Sequence, residues 1–319
     1  MIRGAVLQYF KSMIMGFFHR VLDAVRRRIV PYGRLDAIQE SLGRIESKLN
    51  RGGAIGDPRD YEFKVYSQWG EDGIIDYLCQ RVAVPNRVFV EFGVQDYTEA
   101  NTVFLLKHRN WRGLVIDGSE ENVLAIRKSD IFWRYDLNVC ARFITEDNIN
   151  EIISGSGISG EIGLLSVDID GNDYWVWRAI DCVRPAIVVC EYNSLFGPFA
   201  KISTPYEPDF YRTSAHSSNM YYGASVSALT YLAISKGYSL VAGNSAGNNL
   251  FFVRDDLLNG LPVLTPEQVY VKASFREARN ALGGVDCLTF ESRQKEIEHL
   301  RVIQVDTGME MQLRDVFDA

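Results

Sequence analysis

Val88 to Thr102, VFVEFGVQDYTEANT, begins as an apolar run, carries one acid inside it at Glu91, and breaks at Gly93 into a polar turn. A short apolar run bounded by turn formers reads as a buried strand, here 87–92, feeding a ligand-binding turn. Toward the N-terminus, apolar residues at helical spacing predict a helix over 71–84, stopped by Pro85. Toward the C-terminus the pattern predicts a helix over 101–109, a strand over 113–116 ending at Asp117, a helix from Glu121, and a short strand over 132–135 ending at Asp136. It continues with a helix over 145–154, a strand over 162–169, a helix over 174–180 and a strand over 186–190. A long loop to Gly223, a helix over 225–236, and two strands at 238–242 and 249–253 complete the series. Strands alternating with helices at this pitch predict an α/β fold, a mostly parallel sheet covered on both faces. The short Gly/Asn turn between the last two strands makes them a hairpin, so one strand is antiparallel.

Beyond Asp255 the pattern weakens. Thr265 is placed to cap a short helix, 274–282 and 292–300 have helical spacing, and 302–313 reads as a hairpin about Thr307 and Gly308. Residues 256–319 are expected as an appendage packed on the domain formed by 57–255.

The 319 residues are 47% hydrophobic and 24% charged, enough to bury a sizeable core in an enzyme-sized globular protein. The net charge of −7 is unevenly spread: residues 1–56 carry ten Lys/Arg against four Asp/Glu, leaving 24 against 37 elsewhere. An acidic body does not suit a nucleic-acid groove, which needs clustered cations. Cys79, Cys140, Cys182, Cys190 and Cys287 lack paired spacing, so neither zinc nor a disulfide framework is signalled, and a reducing, cytoplasmic setting is expected. No apolar run is long enough for a spanning helix, and the charged residues Arg3 and Lys11 argue against a secretory signal peptide.

Within the basic segment, Ile2, Val6, Phe10, Ile14, Phe17, Val21, Val25 and Ile29 recur three or four apart among arginines. This is a basic amphipathic helix, expected either to dock on protein or to lie at an anionic membrane surface through residues 1–30. Leu35, Ile38, Leu42, Ile45 and Leu49 then follow a 3-4-3-4 spacing, a short heptad seam suited to homo-oligomer contact over 35–49. Asn50 to Pro58 is a Gly-rich break and the domain boundary.

Open α/β sheets bind ligands beyond the carboxyl ends of their strands. The residues expected there are Glu91, Asp117, Asp136, Asp168 with Asp170, and Glu191, acidic every time. Carboxylates suit hydroxyl and amino groups or a cation, and they repel phosphates. In LLSVDIDGNDYW, Ser166, Asp168 and Asp170 share one strand face by the two-residue period, an expensive placement unless the carboxylates are hydrogen-bonded, protonated or joined by a cation. Gly155 to Gly160, GSGISG, matches the dinucleotide fingerprint in letters alone, because it follows a helix and precedes a strand, the reverse of the required order.

The series Tyr66-Ser67-Gln68-Trp69-Gly70-Glu71-Asp72, then Val90-Glu91-Phe92-Gly93 with Asp96 and Asn101-Thr102, then Trp111-Arg112-Gly113-Leu114 with Asp117, then Asp168-Ile169-Asp170-Gly171 resembles the FkbM-type family of S-adenosylmethionine-dependent methyltransferases. The resemblance covers 61–255 and implies a Rossmann-like seven-stranded methyltransferase sheet with the last strand antiparallel. It implies that Glu91 and Gly93 lie against the methionine portion of the cofactor, that Asp117 binds the ribose hydroxyls, that Asp136 lies near the adenine, and that Asp168 borders the cofactor. Two departures are the single glycine of the first turn and Asp170 where the family often has Glu.

Methyl transfer to a hydroxyl needs the acceptor held in line and its proton removed. Candidate catalytic groups are Asp168, Asp170, Glu191 and His216, the last in the aromatic and hydroxyl-rich loop after strand five. A divalent cation held by Asp168, Asp170 or Glu191 is another way to acidify the acceptor. The expected function is O-methylation of a sugar, glycan or small hydroxylated metabolite. The alternative is a binding or scaffold protein that keeps the fold without the chemistry.

Overall fold

A computed structural model describes residues 32–51, 56–275, 277–280 and 282–317. The basic amphipathic helix expected over 2–29 lies outside them. Eight strands run through the sheet region and the loop within it: β1 (Val88–Phe92), β2 (Arg112–Asp117), β3 (Leu137–Ala141), β4 (Gly160–Val167), β5 (Val183–Glu191), β6 (Ile202–Ser203), β7 (Tyr238–Gly243) and β8 (Asn249–Arg254). Seven of them form one sheet in the order β3-β2-β1-β4-β5-β8-β7. The first five are parallel, and β8 is antiparallel to both β5 and β7. This is the expected methyltransferase-type sheet with its reversed last strand.

Alternation along each strand explains why both faces are covered. Val88, Val90 and Phe92 of β1 join one buried layer with Leu114, Ile116, Leu165, Val167 and Val188. Phe89 belongs to the opposite layer with Val115, Leu164, Ile187 and Val189. Helices Ile149–Gly155, Asp173–Ala179 and Val226–Ser235 contribute to the first layer, and Glu71–Arg81 and Val103–Arg109 to the second. A strand apolar on both faces has no water-facing side to leave open, so helices must cover each.

Two expected elements differ. The segment read as a strand over 132–135 is a helix, Asp130–Arg134, with Phe132 and Trp133 exposed, and β3 begins at Leu137 instead. The aromatic pair imitates a strand locally, yet the buried slot beside β2 goes to Leu137, paired with Gly113. Asp136 therefore precedes β3, at its amino end, and is exposed. The helix expected over 274–282 is not formed among the described residues. Its backbone groups bond outside the segment: Arg279 N donates to the Ser218 carbonyl in the loop after β5, and the Ala278 carbonyl accepts from Asp286 N, so they are not available to a helix.

The C-terminal hairpin is present as β9 (Arg301–Gln304) and β10 (Met309–Gln312), and β9 also pairs with β6. Leu195, Phe196, Ile202, Phe210 and Tyr222 of the long loop share a third apolar cluster with Ala278, Ile297, Val302 and Leu313. The chain divides into compact units of 1–46 and 47–319, with the sheet in the second. On helix Tyr32–Asn50, Leu35, Ile38, Leu42, Ile45 and Leu49 are all at least half exposed. No described helix is long and apolar enough to cross a membrane.

Candidate functional site

The chain leaves β1 for β2 on one side and returns from β3 to β4 on the other, which opens a crevice beyond the carboxyl ends of β1 and β4. A cleft of about 640 Å³ lies there, bordered by Gly93, Gln95, Asp117, Phe143, Ile169 and Arg212. An adjoining cavity of about 240 Å³ is bordered by Gln68, Glu91, Asn101, Asp168, Glu191 and Asn249.

Gly93 borders both. Its φ is +68°, and a Cβ built on it would stand 1.8 Å from the Asp168 carbonyl oxygen. The turn after β1 passes so close to the end of β4 that only glycine fits.

Asp117 ends β2 with its carboxylate largely buried. Oδ2 accepts from Gln95 N at 2.7 Å, and Oδ1 accepts from Ser119 N at 2.8 Å and Asn122 Nδ2 at 3.0 Å. Those three bonds fix the group and leave Oδ2 a free lone pair on the cleft.

Glu91 is committed to architecture. It lies on the Phe89 face of β1, toward helix Val103–Arg109, where it accepts from Asn101 N at 2.7 Å, Thr102 N at 3.1 Å and the Thr102 hydroxyl. A carboxylate at a helix N-terminus satisfies amides that have no partner inside the helix. Burial pushes Glu91 up to about 7, against the hydrogen bonds that favour its charged form. The 66–72 motif is also a clamp: Asp72 Oδ2 accepts from the amides of Val65, Tyr66 and Ser67, and Glu71 Oε1 accepts from Asn244 and Asn249 side chains.

After Val167 the two-residue alternation ends. Asp173 Oδ1 and Oδ2 accept from Ile169 N and Gly171 N, and Asp170 takes a left-handed φ of +56°. The turn folds Asp170 back, so that one carboxylate oxygen each of Asp168, Asp170 and Glu191 lie within 4.8 Å of one another. Burial, then the neighbouring negative charges, holds Asp168 and Glu191 well above the usual carboxylate range. Glu191 Oε2 is buried without a hydrogen-bond partner.

Arg212, on the short helix Arg212–Ala215, reaches over this cluster. Its Nη1 lies 2.6 Å from Asp170 Oδ1, its Nη2 pairs with Glu277, its Nε donates to the Asn219 carbonyl at 2.7 Å, and its guanidinium stands 3.7 Å from the Tyr222 ring centre. Burial opposes its charge, but Tyr222, Glu277, Glu191 and Asp170 raise its pKa further. Glu277 and Arg279, from the C-terminal segment, border the larger cleft.

The structure thus brings Gly93, Asp117, Asp168, Asp170 and Glu191 together and leaves two expected residues outside. Asp136 stands at the amino end of β3, the wrong end for a crevice at the carboxyl ends, because β3 starts after it. The residues that follow β3, Arg142 and Phe143, border the cleft instead. His216 is not among the cleft-lining residues: its Nδ1 meets the Ser218 hydroxyl at 2.7 Å and its ring faces His299 at 5.9 Å. Burial lowers its pKa. Its place is taken by Arg212, four residues earlier and the only arginine of the 192–223 loop, which no local pattern distinguishes.

No family model matches the chain, and no curated protein matches it. Among solved structures it is similar to an O-methyltransferase from Bacillus cereus in complex with SAH, at 12% identity and a TM-score of 0.38, covering 68% of this chain and 91% of that one. It is also similar to the N-terminal domain of EvdMO1 with SAH bound, at 11% identity and a TM-score of 0.38, covering 67% and 94%. The same domain in the presence of SAH and D-fucose gives 11% identity and a TM-score of 0.36 over the same shares. At these similarities, the assignment of a Rossmann-like methyltransferase fold rests on the chain's own strand order and directions.

Proposed function

We propose that this chain is an S-adenosylmethionine-dependent methyltransferase acting on an oxygen of a sugar, glycan or other small hydroxylated metabolite, as its FkbM-type resemblance implies. The observation that carries this reading is Asp117: a carboxylate fixed at the end of β2, facing a cleft of about 640 Å³, with acceptor capacity left over for ribose hydroxyls. A pyrophosphate-bearing cofactor fits poorly, because the adjoining floor is Asp168, Asp170 and Glu191 and the glycine-rich segment 155–160 enters β4 at its other end.

When bound, the cofactor supplies a methyl group on a positively charged sulfur. Asp117 orients it, Ile116, Phe143 and Ile144 give its base an apolar and aromatic bed, and Gly93 admits the methionine portion without a side chain in the way. The acidic floor stabilises positive charge there. Asp168 or Glu191 would take the acceptor's proton, a role suited to carboxylates that burial and neighbouring charge make more basic than usual. Asp170, paired with Arg212, is held for positioning. Tyr211, Thr213, Asn219 and Arg279 offer an acceptor the polar contacts that a hydroxylated molecule needs.

Isothermal titration of the full chain with S-adenosylmethionine tests the reading. The wild type is expected to bind, and Asp117→Ala to bind at least about tenfold more weakly, the effect of losing a charged hydrogen bond. No binding by the wild type, or equal binding by the variant, overturns it.

A further inference from the structure

Asp168 and Glu191 have no ion-pair partner among the described residues, and each points a carboxylate oxygen at the other and at Asp170 within 4.8 Å. Oxygens bound octahedrally to a small divalent ion at about 2.1 Å stand about 3.0 Å apart as neighbours and about 4.2 Å apart across the ion. The three carboxylates are therefore already near ligand spacing, and a small contraction completes it.

A second, independent feature points the same way. Asn249 begins β8 directly beside Glu191, to which it is paired in register, and borders the same 240 Å³ cavity. It is 3% exposed, its Nδ2 donates to Glu71 Oε1 at 3.1 Å, and its Oδ1 has no hydrogen-bond partner. The bond to Glu71 decides which way the amide faces, because only the nitrogen can donate to a carboxylate. A fixed, buried and unpartnered carbonyl oxygen on a residue of the same cavity, next to the equally unpartnered Glu191 Oε2 in the chain pairing, offers a fourth hard donor.

We propose that Asp168, Asp170, Glu191 and Asn249 form a binding site for one hard divalent cation of the Mg²⁺ or Mn²⁺ class. An all-oxygen set without His or Cys suits such ions and not soft ones. Arg212 offsets part of this negative charge at a distance, but its direct pairs are with Asp170 Oδ1 and Glu277, and neither Asp168 nor Glu191 forms an ion pair with it. In a role that rests on the methyltransferase reading, the ion would hold the acceptor hydroxyl over the floor and make its proton easier to remove.

Loss of the free-ion electron paramagnetic resonance signal on titrating Mn²⁺ into the full, cofactor-free chain reads the site directly. A single bound ion per chain is expected, with affinity falling at least about tenfold in Asp168→Asn and in Glu191→Gln. Both substitutions keep side-chain volume and remove a repelling charge, so both variants should melt no lower than the wild type in metal-free buffer, and only the wild type should be stabilised by Mn²⁺. Absence of Mn²⁺ binding, or equal binding by folded variants, overturns the site. Titration of S-adenosylmethionine on the same samples separates the two readings: cofactor binding without Mn²⁺ binding removes the metal site alone, whereas Mn²⁺ binding without cofactor binding upholds the site and removes the methyltransferase role.

Discussion

Gly93 and Asp117 show how much a single position can carry. Gly93 combines a left-handed backbone with a carbonyl 1.8 Å from where a Cβ would stand. Gly93→Ala is expected to cost about 2–4 kcal/mol, the sum of left-handed strain and forced displacement of the β4 turn. Chemical denaturation checks the cost, and an unchanged midpoint contradicts the close approach. The glycine was readable in the sequence as a turn. Its reason was not, because the contact is with Asp168, 75 positions away. The place of Asp117 was readable in the sequence, since a carboxylate ending a predicted parallel strand falls at the crevice.

The elements divide by whether a segment's own pattern outweighs its neighbours. Strands β1, β2, β4, β5, β7 and β8 follow apolar runs that nothing else could accommodate. The aromatic stretch Phe132–Tyr135 had equal claim to a strand by composition and lost it, because the sheet position beside β2 is taken by Leu137–Ala141, with Leu137 buried opposite Gly113. That shift moves the site. Asp136→Ala is expected to leave S-adenosylmethionine affinity unchanged, whereas Phe143→Ala should weaken it several-fold by removing part of the apolar bed. Titration of both variants decides between the two ends of β3: a loss confined to Asp136→Ala would restore the earlier placement.

Taken together, the buried carboxylates make a prediction about the whole molecule. Burial pushes Asp72 and Asp173 up to about 6 and Glu91 up to about 7, from ordinary values of 3.8 and 4.5. Each group holds its proton more tightly folded than unfolded, so its contribution is fully present below the unfolded pKa and is lost as pH rises through the folded one. Thermal stability of the ligand-free chain should therefore decline from about pH 4 to about pH 8. Melting curves across that range check the sign, and a rise toward pH 8 would mean that the hydrogen bonds to these groups outweigh their burial.

The sequence by itself determined the layered α/β fold, the strand that reverses, and the acids at the carboxyl ends of β1, β2, β4 and β5, though not at β3, because these depend on periodicity and on the residues that stop each run. Only the tertiary structure decided what the acids do. It gave Glu91 to a helix N-terminus, folded Asp170 back toward Asp168 and Glu191, set Asn249 beside them, and brought Arg212 and Glu277 from distant segments over the cluster. Those outcomes come from strand order and loop packing between residues far apart in the chain, and local pattern carries no record of such distances.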